Sequence, residues 1–123
     1  MADEYTIESK VTFSKGGTTI TMPAADDRVL SFDVTGSVFT HQRQSIGTSA
    51  ENVNVGEVTL GGWAYIINHD ATNYVELIDS GAGSTFATLE AGEVFMGRIN
   101  AAVTLQAQAN TAACEIEYLI VDD

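Results

Sequence analysis

Apolar residues recur at every second position through most of this chain. In the first such run, residues 5–13, Tyr5, Ile7, Val11 and Phe13 alternate with polar residues. A period of two is typical of half-buried β-strands, whereas an amphipathic helix repeats at about 3.6 residues. About ten runs of this kind are separated by Gly, Asn and Asp turns, at a spacing typical of sandwiches and barrels. The sequence therefore predicts an all-β fold, a jelly-roll-like β-sandwich of about ten short antiparallel strands.

Several segments carry more specific predictions. Gly16-Gly17 between two alternating runs predicts a hairpin. Residues 38–46 are a polar segment, residues 53–60 predict a strand kinked at Gly56, and the alanine-rich residues 107–113 are the only place for a helical turn. Trp63–Ile67 is apolar on both faces, which predicts a central strand. The predicted core consists of Leu30, Phe32, Trp63, Tyr65, Ile67, Val75, Leu77, Phe95, Leu105, Ile116 and Tyr118.

Length and composition indicate one folded domain. The 123 residues are 45% hydrophobic and 18% charged, which is too apolar for intrinsic disorder. We expect a single β-sandwich domain over residues 1–123, with residues 1–5 forming an N-terminal arm. The N-terminus is acidic and no long apolar run follows, so we expect a protein made in a cytoplasm that stays soluble.

The charge balance argues against two classes of partner. Seventeen acidic residues against five scattered basic ones give a formal net charge of −12. Nucleic acids and anionic membranes both require several Lys or Arg side chains on one surface. We therefore expect no nucleic-acid partner and no membrane partner. Strong acidity also keeps copies of a chain apart in free solution.

Few residues suggest chemistry. His69-Asp70 suggests an oriented general base or half of a metal site, but its surroundings, residues 68–73, have the Asx and Thr composition of a turn that caps its own backbone. Cys114 lies in an apolar alternation and reads as a small buried hydrophobe. Residues 81–85 read as a hairpin loop, because no Lys or helix follows the glycines as in a phosphate loop.

Two further groups of residues have both a structural and a functional interpretation. The aromatic residues suggest a sugar platform, but each lies in a strand pattern where aromatic side chains pack the core: Trp63, Tyr65, Tyr74, Phe86 and Phe95. Asp26-Asp27 and Asp122-Asp123 read as solvated charge rather than calcium ligands, and scattered glutamates offer no specific glycosidase pair. We predict no catalytic residues, no metal, no cofactor and no enzymatic activity.

Three motifs resemble a known family. They are the stretch from Gly62 through Asn68-His69-Asp70-Ala71-Thr72-Asn73 to Leu77, the turn Leu89-Glu90-Ala91-Gly92-Glu93, and the C-terminal run Ile116–Asp123. Together they resemble a family of small structural proteins encoded in the genomes of tailed bacteriophages. His69 departs from the aliphatic residue that is commoner there, and Gly61-Gly62 lacks the usual proline. The resemblance implies a virion component without catalytic residues.

The resemblance does not decide between the head and the tail. Because the chain is small, strongly acidic, predicted to be all-β and without a catalytic motif, we expect a capsid decoration, or cement, protein on the capsid surface of the virion. It would bind across neighbouring major capsid protein subunits, stabilise the head and form a homo-oligomer, with a trimer favoured by analogy with the threefold sites of capsids. The predicted contacts lie in the arm Met1–Tyr5 and in the loops Pro23–Arg28 and Thr40–Ser45: Ala2, Asp3, Glu4, Tyr5, Asp26, Asp27, Arg28, His41, Gln42 and Arg43. The alternatives are a structural protein of the tail or head–tail connector, and a carbohydrate-binding or host-recognition β-module.

Overall fold

A computed structural model describes residues 5–23, 28–32, 38–59 and 61–122, except for the side chains of Arg28 and Phe32. The described residues form antiparallel β-sheets without any helix. This confirms the predicted all-β fold. The chain divides into two compact units, residues 1–35 and residues 36–123.

The described residues of the first unit form four strands in two small sheets. Strands β1 (Tyr5–Ser9) and β4 (Arg28–Phe32) form one antiparallel pair, and β2 (Val11–Lys15) and β3 (Thr18–Met22) form the other. Gly16 and Gly17 join β2 to β3 with φ angles of +59° and +81°, which a side chain would disfavour. The predicted hairpin is confirmed, but the alternating run of residues 5–13 is split at Lys10 into two strands of different sheets.

In the second unit, the part that the structure describes forms eight strands. In chain order they are β5 (Phe39–Ile46), β6 (Glu51–Asn52), β7 (Trp63–Asn68), β8 (Val75–Asp79), β9 (Ser84–Leu89), β10 (Val94–Arg98), β11 (Leu105–Ala109) and β12 (Cys114–Val121). One sheet has the order β10-β7-β12-β5 and the other β6-β11-β8-β9. The first and last of these strands share a sheet, as do the second and seventh, the third and sixth, and the fourth and fifth. This nesting is the jelly-roll arrangement, with two sheets packed face to face.

The core lies between these two sheets. Its largest fully buried side chains are Tyr118, Ile46, Ile66, Leu77, Ile116, Ile120 and Val75. Of the predicted core residues, Val75, Leu77, Leu105, Ile116 and Tyr118 are buried as expected. Leu30 and Phe95 are half-buried, and the side chain of Phe32 lies outside the described residues.

The predicted orientation of β7 is wrong. Ala64, Ile66 and Asn68 are buried, whereas Trp63, Tyr65 and Ile67 point to the outer face of the sheet and are half-buried. The reason is the pairing with β12, in which Ile66 lies opposite Tyr118 and Asn68 lies opposite Ile116. Side chains of directly paired residues share a face, so the inward direction of Tyr118 and Ile116 determines that of β7.

Asn68 is a fully buried polar side chain with a structural role. Its Nδ2 donates hydrogen bonds to the carbonyl oxygens of Asn73, Leu89 and Glu90 at 2.9, 3.0 and 3.2 Å, and its Oδ1 accepts one from the Asp70 amide. It therefore joins the turn after β7 to the turn after β9. Every hydrogen-bonding atom of the amide group is in use, which makes its burial tolerable.

Two other segments differ from expectation. The predicted strand of residues 53–60 is limited to β6, and the chain from residue 53 to 59 is a loop with a turn at Gly56 and Glu57. The pairing of β6 with β11 is limited to Glu51 and Asn52, so it ends before Gly56, which has a φ of +60° in the turn. The alanine-rich residues 107–113 contain no helical turn, since β11 continues to Ala109 and bends follow it.

Candidate interaction surfaces

The predicted capsid contacts near the N-terminus are only partly described. Ala2, Asp3, Glu4, Asp26 and Asp27 lie outside the described residues, as does the side chain of Arg28, whose backbone begins β4. Tyr5 is the first residue of β1, opposite Phe32, and is only 9% exposed. The arm predicted over residues 1–5 therefore does not include Tyr5, which is fixed by strand pairing.

His41, Gln42 and Arg43 lie on a strand, not in the predicted loop of residues 40–45. They belong to β5, at one end of the sheet order, and on β12 they pair with Leu119, Tyr118 and Glu117, respectively. His41 and Arg43 point outward and Gln42 points inward, where its Nε2 donates to the carbonyl oxygen of Asn54 at 2.8 Å. The sequence did not predict this strand, because polar residues on both of its faces leave no alternation of apolar and polar side chains.

The hairpin β2–β3 exposes an apolar face. Val11 lies opposite Met22 and Phe13 lies opposite Ile20, so these four side chains form two adjacent cross-strand pairs on one side. Their exposed fractions lie between 49% and 59%. We call this surface the hairpin face. Contiguous exposed apolar side chains on an otherwise polar protein mark interaction sites, and the hairpin face was not among the predicted contacts.

The hairpin also differs in charge from the rest of the chain. Residues 9–25 contain Lys10 and Lys15 and no acidic residue, so they carry a formal charge of +2. The remaining residues hold 3 basic and 17 acidic side chains, which gives −14. Lys15 continues the alternation of Val11 and Phe13 and therefore lies at the turn end of the hairpin face. This surface is apolar with a basic end.

A second exposed apolar surface lies on the outer face of the sheet that contains β7. Val94 lies opposite Ile67 and Met96 lies opposite Tyr65. Val94 is 47% exposed and Met96 is 37% exposed, while Tyr65 and Ile67 are half-buried. We call these four residues the β7–β10 patch. The turn before β10 carries the exposed acids Glu90 and Glu93 beside Val94, so this patch has an acidic end.

Both histidines of the chain are held by one carboxylate on the same outer face. The Nε2 of His69 lies 2.7 Å from Oε1 of Glu117, and the Nε2 of His41 lies 2.8 Å from Oε2. An ionised carboxylate only accepts hydrogen bonds, so each imidazole donates to a separate oxygen. The hydrogen bonds from His41 and then His69 lower the pKa of the Glu117 carboxyl. Beside this cluster, Arg43 forms an ion pair with Glu115.

His69 and Asp70 do not act as a pair. Asp70 turns away to cap the following turn, where its Oδ2 accepts hydrogen bonds from the amides of Thr72 at 3.0 Å and Asn73 at 2.6 Å. These two bonds lower the pKa of the Asp70 carboxyl. The turn interpretation of residues 68–73 is therefore correct for Asp70. The role of His69 was missed, because its partner Glu117 is 48 residues away in the sequence.

An aromatic groove of about 230 Å³ lies beside β9 and β10. Phe86 is the extra residue of a β-bulge, because its neighbours Thr85 and Ala87 pair with the consecutive residues Ile78 and Leu77. The bulge turns the Phe86 ring edge-on to Phe95, with 5.9 Å between centroids and 76° between planes. The groove also includes Asp79, Ser84, Arg98 and Asn100.

None of the aromatic residues considered for a sugar platform is fully buried, although Phe95 packs against the core as the sequence interpretation favoured. Phe86 is 42% exposed, and the others are half-buried: Trp63, Tyr65, Tyr74 and Phe95. Trp63 carries the Arg98 guanidinium over its ring at 5.9 Å. Among the described tyrosines, Tyr118 does belong to the core, and burial raises its pKa to about 12.

Other reactive groups are enclosed or dispersed. Cys114 is fully buried, and burial raises the pKa of its thiol, as expected for a small hydrophobe. Within the described ranges, no three His, Cys, Asp or Glu side chains are arranged to hold a metal ion. The same part of the chain contains no helix of the length and hydrophobicity needed to cross a membrane.

No family model, curated protein or solved structure matches this chain. The resemblance to structural proteins of tailed bacteriophages stays a prediction based on the sequence motifs. Any proposal about function therefore depends on the surfaces described above: the hairpin face, the β7–β10 patch, the Glu117 cluster and the aromatic groove.

Proposed function

We propose that this chain is a non-enzymatic structural protein of a bacteriophage particle, a decoration protein that binds across neighbouring major capsid protein subunits. The observation that carries the proposal is the hairpin face, whose four large apolar side chains are about half exposed. A two-stranded hairpin is marginally stable by itself in water, and its apolar face gains stability only when a partner covers it. Such a surface suits a protein that functions by assembling.

The mechanism requires binding alone. A ligand that binds the assembled shell and not its dissociated subunits stabilises the shell by mass action. The net charge of −12 favours the solubility of the chain before it meets the shell. The cytoplasm of the host bacterium would be the site of synthesis, and the outer capsid surface the final location.

The outward side chains of β5 provide a further contact in this proposal. His41 and Arg43 project from a strand at the end of the sheet order, with side chains 58% and 52% exposed. Edge strands are natural places for another chain to bind. With Ala2 to Glu4 and the loop that contains Asp26 and Asp27, β5 would contact the major capsid protein.

The proposal is tested by counting the copies of the protein in each virion and by preparing heads that lack it. Quantitative mass spectrometry of purified particles of the encoding phage should give hundreds of copies per virion, in the range of the capsid subunits. Heads that lack the protein should lose their contents at a lower temperature than complete heads, and added purified protein should restore the difference. Six to a few dozen copies, or heads of equal stability without it, would exclude decoration and favour the tail or head–tail connector.

The aromatic groove supports a second candidate, a carbohydrate-binding or host-recognition module. Phe86 presents an exposed ring beside hydrogen-bonding side chains such as Asn100 and Asp79, and sugars bind to such combinations of rings and polar groups. Binding of the purified protein to a glycan array, abolished by Phe86→Ala, would support this function. If Phe86→Ala still binds the same glycans, their binding site lies outside the aromatic groove.

A further inference from the structure

We propose that the hairpin face of one copy docks on the β7–β10 patch of a second copy, forming a head-to-tail contact between identical chains. This inference goes beyond the proposed function, because the contact needs no capsid. It concerns two surfaces that each display exposed apolar side chains: Val11, Phe13, Ile20 and Met22 on one, and Tyr65, Ile67, Val94 and Met96 on the other.

The two surfaces match in dimensions. Each consists of two cross-strand pairs on adjacent antiparallel strands, Val11–Met22 and Phe13–Ile20 in the hairpin and Ile67–Val94 and Tyr65–Met96 in the patch. Neighbouring strands are about 4.8 Å apart, and alternate residues along a strand are separated by about 6.8 Å. Two arrays with these spacings can interdigitate as the inner faces of a β-sandwich do, with sheets about 10 Å apart.

Charge selects a second copy as the occupant. The hairpin segment, residues 9–25, carries +2, whereas the rest of the chain carries −14. Lys15 lies at the turn end of the hairpin face, and Glu90 and Glu93 lie at the turn end of the β7–β10 patch. When both turns are at the same end of the contact, Lys15 meets these acids. Complementary potentials of this kind determine the orientation and register of a contact.

Contact between two hairpin faces is less favourable. That arrangement would bring two copies of the segment that contains Lys10 and Lys15 together, and like charges oppose association. The head-to-tail contact pairs unlike surfaces instead. A head-to-tail pair therefore keeps one free hairpin face and one free patch, and successive copies form a closed ring if the rotation between them closes. A trimer is one such ring.

The experiment uses the full chain in solution. Phe13→Ser/Ile20→Ser removes the hairpin face, Val94→Ser/Met96→Ser removes the β7–β10 patch, and Phe39→Ser removes an apolar side chain that is 66% exposed and belongs to neither surface. Sedimentation velocity should show concentration-dependent association of the unchanged protein and of Phe39→Ser. Either double variant alone should associate at least tenfold more weakly. Circular dichroism confirms that each variant is folded.

Mixing the two double variants provides the decisive measurement. Each keeps one intact surface, and the two intact surfaces are complementary, so the mixture should form a dimer that does not grow further. Lys15→Glu should weaken association of the full chain, and the exchange Lys15→Glu/Glu90→Lys should restore it. A protein that stays monomeric at all concentrations overturns the proposal, as does a mixture without dimers. These outcomes leave capsid binding to be decided separately, by copy number and head stability.

Discussion

The Nε2 of His69 lies 2.7 Å from Oε1 of Glu117 although 48 residues separate the two in the sequence. Oε2 of the same carboxylate binds His41. Glu117 is on β12, His41 is on β5 and His69 directly follows β7, so one carboxylate joins three neighbouring strands through side chains. Both histidines of the chain are therefore held by one carboxylate on the outer face of the sheet.

The Glu117 cluster predicts a loss of stability in acid. Because the folded-state pKa of Glu117 lies below its ordinary value of 4.5, the unfolded chain takes up this proton first as the pH falls. The stabilising effect is therefore complete above about pH 4.5 and is lost as the pH falls through the folded-state pKa. Thermal unfolding should show a lower midpoint for Glu117→Gln than for the unchanged protein at pH 6, with a gap that narrows towards pH 3.

Glu57→Gln is the matched control, because Glu57 is an exposed carboxylate in the turn after Val55. Its unfolding midpoint should follow that of the unchanged protein over the whole pH range. A gap between Glu117→Gln and the unchanged protein that stays constant from pH 6 to pH 3 would mean that the carboxyl acts through packing, not through its charge.

We expect substitution of Asn68 to have one of the largest single-residue effects on the free energy of unfolding. Asn68→Ala leaves three carbonyl oxygens and the Asp70 amide without their side-chain partner in a fully buried place. Leaving buried polar groups unsatisfied costs about 1–3 kcal/mol in typical cases, and we expect a loss of about 3 kcal/mol in the free energy of unfolding measured with urea. The exposed Asn110→Ala should change it by less than about 0.5 kcal/mol.

We expect Tyr118 to make the stability of the fold depend on pH in alkaline solution. Its hydroxyl lies 2.7 Å from the carbonyl oxygen of Asn54 and 3.0 Å from Oε1 of Gln44. The folded-state pKa of about 12 exceeds the ordinary value of 10, so the unfolded state loses this proton first and stability falls as the pH rises above about 10. Absorbance at the phenolate band should contain a component that titrates near pH 12 and is missing in Tyr118→Phe. If that component persists in the variant, another tyrosine is responsible.

We expect the thiol of Cys114 to be protected from thiol reagents in the folded protein. It is fully buried, and its burial raises the pKa of the thiol, so little thiolate is present and reagents have no access. An aromatic disulfide reagent should react with the denatured chain at once and with the folded chain only as fast as the chain opens. Rapid reaction of the folded protein at neutral pH would contradict the position of Cys114 in the core.

The strand pattern was predictable because most strands have one apolar and one polar face. The hairpin at Gly16-Gly17 and the all-β fold follow from that alternation and from turn composition. The orientation of β7 did not follow, because Trp63–Ile67 is apolar on both faces. Only its pairing with β12 determines that Ile66, and not Tyr65, faces the core.

The candidate surfaces were harder to predict for a related reason. Alternation places Val11 and Phe13 on one face, but the same pattern describes both a buried strand and an exposed one. β5 was interpreted as a loop because Gln42 and Gln44 occupy its inward positions, where they bond to the backbone of residues 52–54. Glu117 lies in an ordinary alternating strand, and nothing local distinguishes it from Glu115. Only the long-range pairing of the strands shows that Glu117 is the carboxylate that binds the two histidines.

We expect capsid binding and folding to depend on different residues near the N-terminus. Tyr5 is buried and paired with Phe32 in β1, whereas residues 2–4 are proposed contacts outside the described residues. Deleting residues 2–4 should leave the thermal midpoint unchanged and weaken binding to heads that lack the protein. Deleting residues 2–5 should also lower the midpoint, because it removes a buried aromatic side chain.

One control variant makes this comparison informative. Tyr5→Phe keeps the ring in β1 and should bind heads as the unchanged protein does, because the proposed contact begins before residue 5. Binding is measured by co-sedimentation with heads, and the midpoint is measured on the same preparation by circular dichroism. If the deletion of residues 2–4 binds heads as tightly as the unchanged protein, the N-terminal segment is not a capsid contact. The proposed contact is then limited to β5 and the loop that contains Asp26 and Asp27, and the exposed side chains of His41 and Arg43 on β5 become the next to substitute.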